Sequence, residues 1–191
     1  GDDRLIPLRA PARVAALAGV LAAGAAPALH GVPEERRTEL EEQFRGEWRD
    51  EEGTPLLVER RSNGRCRVLA RYQAEDREPV ELRLEVAAAV LGGQHVLDVT
   101  LAETEVQELM EEYGTLVIPG HVYCRLQGDG KEITLTFLER DWLKGHAQVE
   151  AIEMVDDTPL VTARSVELLD LLTAAPGDEG AWEDAWRPWR P

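Results

Sequence analysis

The chain has 191 residues, 43% of them hydrophobic and 30% charged, with a formal net charge of −16. That length builds one good-sized core with room for appendages, and the composition is that of a globular domain rather than a disordered chain. The negative charge argues against nucleic acid, whose phosphates need a basic surface to displace their counterions, and disfavours adhesion to anionic lipid by charge alone.

Residues 1–33 form an apolar N-terminal segment. Residues 14–29, VAALAGVLAAGAAPAL, carry no charge, and Arg4, Arg9 and Arg13 precede them. Ala26-Pro27-Ala28 is a small-x-small triplet of the kind a signal peptidase cuts. This order resembles a secretory leader. Asp2 and Asp3 depart from the pattern. As a helix, sixteen residues would span about 24 Å, short of a bilayer core of roughly 30 Å. The segment therefore reads as a signal-like or membrane-associated stretch, a docking helix, or a disordered arm. Leu17-Ala18-Gly19-Val20 has valine where a lipobox has its cysteine, so no lipid anchor is expected there.

Residues 34–45, EERRTELEEQFR, predict a short charged helix after Pro33, with acidic residues at its dipole-favoured start and Gly46 at its end. A β-rich region follows. GEWR, PLLVERR and CRVLARYQ read as strands, the last two joined through Asn63-Gly64, a strong hairpin signal because both residues tolerate positive φ. In VELRLEV, Val80, Leu82, Leu84 and Val86 alternate with charged residues, which predicts a half-buried antiparallel strand with one wet face. Gly92-Gly93 turns the chain into QHVLDVTL. An acidic helix over 103–113 interrupts the strands. VYCRL then places Val122, Cys124 and Leu126 inward and Tyr123 and Arg125 outward. Ile133, Leu135 and Phe137 alternate with threonines, and TPLVTA offers a short final strand. DWLKGHAQVEAI reads as helical or mixed, and SVELLDLLTAA as a helix with Val166, Leu169 and Leu172 in one stripe.

The fold class is thus mainly β with flanking helices: an antiparallel meander of about seven strands, with a helix inserted between strands and a C-terminal helix. Closure into a small barrel would remove the exposed edges such a sheet otherwise presents. Residues 34–175 form this domain, and residues 176–191 a Trp-rich tail.

Gly46-Glu47-Trp48, at the first strand after a short helix, resembles the G-x-W opening of lipocalins and related calycin barrels. The order LDVT, IPGHVYCRL, ITLTFLERDWL, LVTARSVELLDLL is similar to small exported bacterial proteins and lipoproteins expected to form lipocalin-like barrels. The resemblance implies that Trp48 plugs one barrel end and that an arginine stacks on it, with Arg125, Arg140 and Arg164 as candidates. The inserted helix and the absence of a T-D-Y signature depart from lipocalins and put a large ligand pocket in question. The resemblance also implies a periplasmic or cell-envelope location.

His121, with Tyr123 and Arg125 on its own face, forms a ligand-binding candidate, and Asp98 is placed to pair with His121 across adjacent strands. The bland alternative is a rim histidine bonded to backbone, with all four lining the outside. No nucleophile motif such as G-x-S-x-G accompanies them. The glutamates of 103–113 lack calcium-loop order and read as a solvated helix face. The histidines are scattered, and Cys66 and Cys124 fit no zinc motif, so neither metal nor cofactor is expected. Both cysteines fall on apolar faces, as two buried thiols or one disulfide. In the tail, Trp182, Trp186 and Trp189 share one helical face and are candidates for a partner or membrane surface, or for folding back onto the domain.

The leading reading is a non-enzymatic binding or assembly module, exported or membrane-associated. It would bind a small apolar molecule in the barrel, or a protein partner or membrane surface through the termini. The alternatives are a structural accessory subunit of a membrane complex and a hydrolase-like enzyme with a rim site near His121.

Overall fold

The computed structural model describes residue 28 and residues 30–49, 53, 55–61, 63–72, 80–113, 120–146, 152–155, 158–162, 165–175 and 178–183. Trp186, Trp189, Arg164 and all of the N-terminal segment before Ala28 lie outside the described residues. The strands are β1 (Gly46–Arg49), β2 (Pro55–Arg60), β3 (Cys66–Tyr72), β4 (Val80–Leu91), β5 (Gln94–Leu101), β6 (His121–Gly128), β7 (Ile133–Leu138), β8 (Ile152–Val155), β9 (Thr158–Val161) and β10 (Trp182–Glu183). The helices are α1 (Glu103–Tyr113), α2 (Arg140–His146) and α3 (Ser165–Ala174). Among the described residues no helix is long and apolar enough to cross a membrane.

Strands β1 to β7 pair antiparallel in chain order, and β10 adds to β7. The seven-strand meander curls into a half-barrel. Among the described residues β1 and β10 are its two ends and do not pair with each other, so the expected closure stops halfway. Thr158–Val161 of the expected closing strand lie instead in the separate β8–β9 pair. The charged segment after Pro33 is also not one helix. It forms two 3-10 turns, Glu34–Arg36 and Glu42–Phe44, with Thr38 donating to Ala88 O at 2.7 Å between them. A short helix is marginal on its own, and here a sheet bridge competes for its backbone.

The inner face of the curl is apolar from end to end. Trp48 of β1, Leu56 and Val58 of β2, Cys66 and Val68 of β3, Val86 and Ala88 of β4, Leu97 of β5, Cys124 and Leu126 of β6 and Phe137 of β7 are all buried there, with Leu40 and Phe44 packed in. Only a curled sheet brings its first and seventh strands into one cluster. Each contributing strand presents alternate residues to it, as the period-2 pattern requires. Gly92 and Gly93, at φ 57° and 78°, make the β4–β5 turn, a backbone that disfavours side chains.

The other face is wet only in part. Beside β3 and the first half of β4, Arg65 pairs with Glu85 at 2.9 Å, and Arg83 with Glu108 of α1 at 3.2 Å. Beyond Val86, β4 continues for five residues not expected as strand, because its Ala87-Ala88-Ala89 run has weak β propensity. There Ala89 and Leu91, with Val96, Tyr123 and Leu138, form a second core with Trp142 and Leu143 of α2, Val161 of β9, Leu172 of α3, and Trp182. Residues expected to face solvent are therefore buried over β4–β7.

Candidate functional site

The second core contains the polar residues singled out from sequence. β5 and β6 pair in a register that sets Asp98 opposite Tyr123, Thr100 opposite His121 and Val96 opposite Arg125. Asp98, Tyr123 and Arg125 are at most 4% exposed. Their expected outward placement is corrected: they point away from the inner face, but that side is covered too.

The covering element is a strap comprising Ala28 and residues 30–32. Ala28 and His121 exchange two backbone hydrogen bonds of 2.8 Å, and Ala28 also bridges Val161 of β9 in parallel. The strap thereby joins the main sheet to the β8–β9 hairpin. The Val32 N–H donates to Asp98 Oδ2 at 2.9 Å, the Tyr123 hydroxyl donates to His30 O, and Arg37 Nε donates to Val32 O at 3.0 Å. Gly31 lies so close over the site that a Cβ built on it would stand 2.3 Å from Asp98 Oδ2 and 2.7 Å from the His121 ring. A Cβ there would force the Asp98 and His121 side chains out of their present positions.

Beneath the strap, His121 Nδ1 lies 2.6 Å from Asp98 Oδ1. With Asp98 as the carboxylate, the ring donates from Nδ1, and its orientation is fixed. The His121 side chain is 23% exposed, whereas that of Asp98 is 3% exposed. Burial, with the nearby Asp98 charge as a smaller contribution, pushes the Tyr123 phenol far above its ordinary value. The Cys124 thiol, on the inner face, is raised by the same two causes in the same order. Both groups stay protonated in the fold.

Arg125 is held one step along the same face. Its Nε donates to Thr136 Oγ1 at 3.2 Å, and its guanidinium lies 5.4 Å from the ring centroid of Trp182. Trp182 is buried, and its Nε1–H donates to Ala175 O at 2.9 Å. The arginine–tryptophan stack expected on Trp48 thus involves Trp182 for Arg125, because Arg125 and Trp48 occupy opposite faces of the sheet. Trp48 is 2% exposed in the inner core and donates from Nε1 to Phe44 O at 3.3 Å. Of the three tail tryptophans, Trp182 lies inside the domain rather than on a free docking face.

Asp98, His121 and Tyr123 therefore meet, Arg125 lies beside them, and Trp48 is remote. The pair holds two members of an acid–base couple, but the hydroxyls in its register have other partners: Tyr123 bonds His30 O, and Thr100 Oγ1 donates to Gly120 O at 3.0 Å. The strap residues were not legible as part of the site, and neither was Thr136. Gly31 between His30 and Val32 resembles any loop glycine until its neighbours are known. In α1, Glu105 does not share the expected solvated face: it is 1% exposed and 3.6 Å from Arg83. Cys66 and Cys124 are free, buried thiols separated by β4 and β5. Among the described residues no group of three or more histidine, cysteine or acidic side chains is placed to hold a metal.

No family model matches this chain, and no match to it is found among curated proteins or solved structures.

Proposed function

We propose that this protein is a non-enzymatic assembly module, barrel-like and lipocalin-related, exported to the periplasm or cell envelope and working through a protein partner. The observation that carries this reading is that the site's polar groups hold the fold together. Asp98 has one oxygen on His121 and the other on Val32 N–H, and Tyr123 binds His30 O. An enzyme site needs such groups turned toward a substrate. Bulky side chains, Trp48, Phe44, Leu56 and Phe137, occupy the inner face, which favours a protein partner over a small apolar ligand. Export rests on the leader-like order of basic, apolar and small residues ahead of Leu29.

Native mass spectrometry of the protein purified from its own source tests this. The expected result is a complex with a second protein, and a mature mass lacking the leader. A chain carrying only a small apolar molecule would favour the ligand reading, and a bare monomer would defeat both.

A further inference from the structure

The strap is recognised almost wholly through its main chain. Ala28 N–H and C=O pair with His121, His30 O accepts from Tyr123, Val32 N–H binds Asp98, and Val32 O accepts from Arg37. This is how an added strand is held: backbone bonds supply affinity and the side-chain positions supply selection. The selection is specific. Ala28 and Val32 are buried, at 1% and 0% exposure, a Cβ on Gly31 would displace the Asp98 and His121 side chains, and the His30 side chain is exposed. The slot therefore selects the pattern Ala-x-x-Gly-Val. That pattern occurs a second time in this chain. Residues 16–20 read Ala-Leu-Ala-Gly-Val, against Ala-Leu-His-Gly-Val at 28–32, and the one difference falls where the side chain is exposed.

We propose that the slot formed by Asp98, His121 and Tyr123 beside β9 is a peptide site for Ala-x-x-Gly-Val segments, and that residues 16–20 are its second ligand. The two segments compete for one slot. Thr38, bridged to Ala88, is the next fixed point downstream. Five residues, 33–37, connect the first occupant to it, and seventeen, 21–37, would connect the second. Closing the longer loop favours residues 28–32 by roughly sixfold, which explains why they hold the slot while both segments are present. A cut between Val20 and Ala28 would leave one occupant and end the competition, whereas a cut after Ala28 would also remove the residue that pairs with His121. This inference goes beyond the partner reading and does not depend on it.

Hydrogen exchange at the His121 amide, which donates to Ala28 O, tests the competition in the full chain. Three variants are compared with the parent: G31A, which forces a Cβ against Asp98, G19A, and the G19A/G31A double variant. Thermal melting confirms that each retains the domain. G19A alone should be silent. G31A should lower His121 protection by only about sixfold, because residues 16–20 take over. The double variant should lose protection to the level of open amides, and a synthetic peptide of residues 26–34 with the parent sequence should restore it. Equal protection in G31A and the double variant overturns residues 16–20 as a ligand. Failure of the added peptide to restore protection in a folded double variant overturns the slot as a peptide site.

Discussion

Substituting Asp98 by alanine isolates the fastening between strap and sheet. The carboxylate accepts from His121 Nδ1 at 2.6 Å and from Val32 N–H at 2.9 Å, and its side chain is 3% exposed. A hydrogen bond to a charged group contributes about 1.5–3 kcal/mol, so the two together suggest roughly 3–6 kcal/mol. Two effects reduce that sum. The His121 ring is 23% exposed and recovers water, and the strap can detach, which caps the loss at the strap's own free energy of attachment. The expected cost is therefore about 2–4 kcal/mol. In a domain of this size it lowers Tm by roughly 4–16 °C, at about 2–4 °C per kcal/mol. Urea unfolding followed by tryptophan fluorescence measures it. Asp98→Asn, which keeps an acceptor for Val32, should lose about half as much, and adding His121→Ala to Asp98→Ala should cost little more. A loss below about 0.5 kcal/mol, the range of ordinary surface substitutions, would refute the view that this pair fastens the strap.

Trp182→Ala should cost about 3–5 kcal/mol, since it removes a buried ring, its bond to Ala175 O and the stack with Arg125; a neutral effect in calorimetry would mean that the C-terminal strand is dispensable to the core. Stability should fall at high pH. The Tyr123 and Cys124 pKa values are raised by burial from unfolded values of 10.0 and 9.0, so the folded chain retains protons that the unfolded chain releases. Their contribution is intact below pH 9.0 and declines above it, by up to about 1.4 kcal/mol per pH unit for each group, and Tyr123→Phe should flatten the decline above pH 10. A stability curve level to pH 11 would contradict this. Neither oxygen of Glu105 finds a hydrogen bond among the described residues, and Arg83 retains Glu108 as a second partner. Glu105→Met should consequently be neutral or stabilising by about 1 kcal/mol in the same urea assay, and a clear loss would show the ion pair with Arg83 to be net favourable.

The meander was legible because its signals are local. Alternation in VELRLEV and ITLTFL, the Asn63-Gly64 and Gly92-Gly93 turns, and the acidic run of α1 each specify a backbone conformation over a few residues. The Asp98–His121 pairing was also anticipated, since consecutive strands joined across one inserted helix become neighbours. What local signals could not contain is which elements cover which face. Tyr123 and Arg125 alternate away from the inner core as surface residues would, yet both are buried: Tyr123 lies in one cluster with α2, α3 and the strap, and Arg125 lies against Trp182. For Trp182 the sequence leaves a partner surface and folding back onto the domain both open, and the pairing of β10 with β7 decides for the second. Gly31 lies 67 residues from Asp98 and 90 from His121, and its need for a bare backbone arises from contact with both. Sequence patterns report which side of a strand is apolar. Whether the opposite side meets water depends on distant segments arriving there, and that is decided only when the whole chain packs.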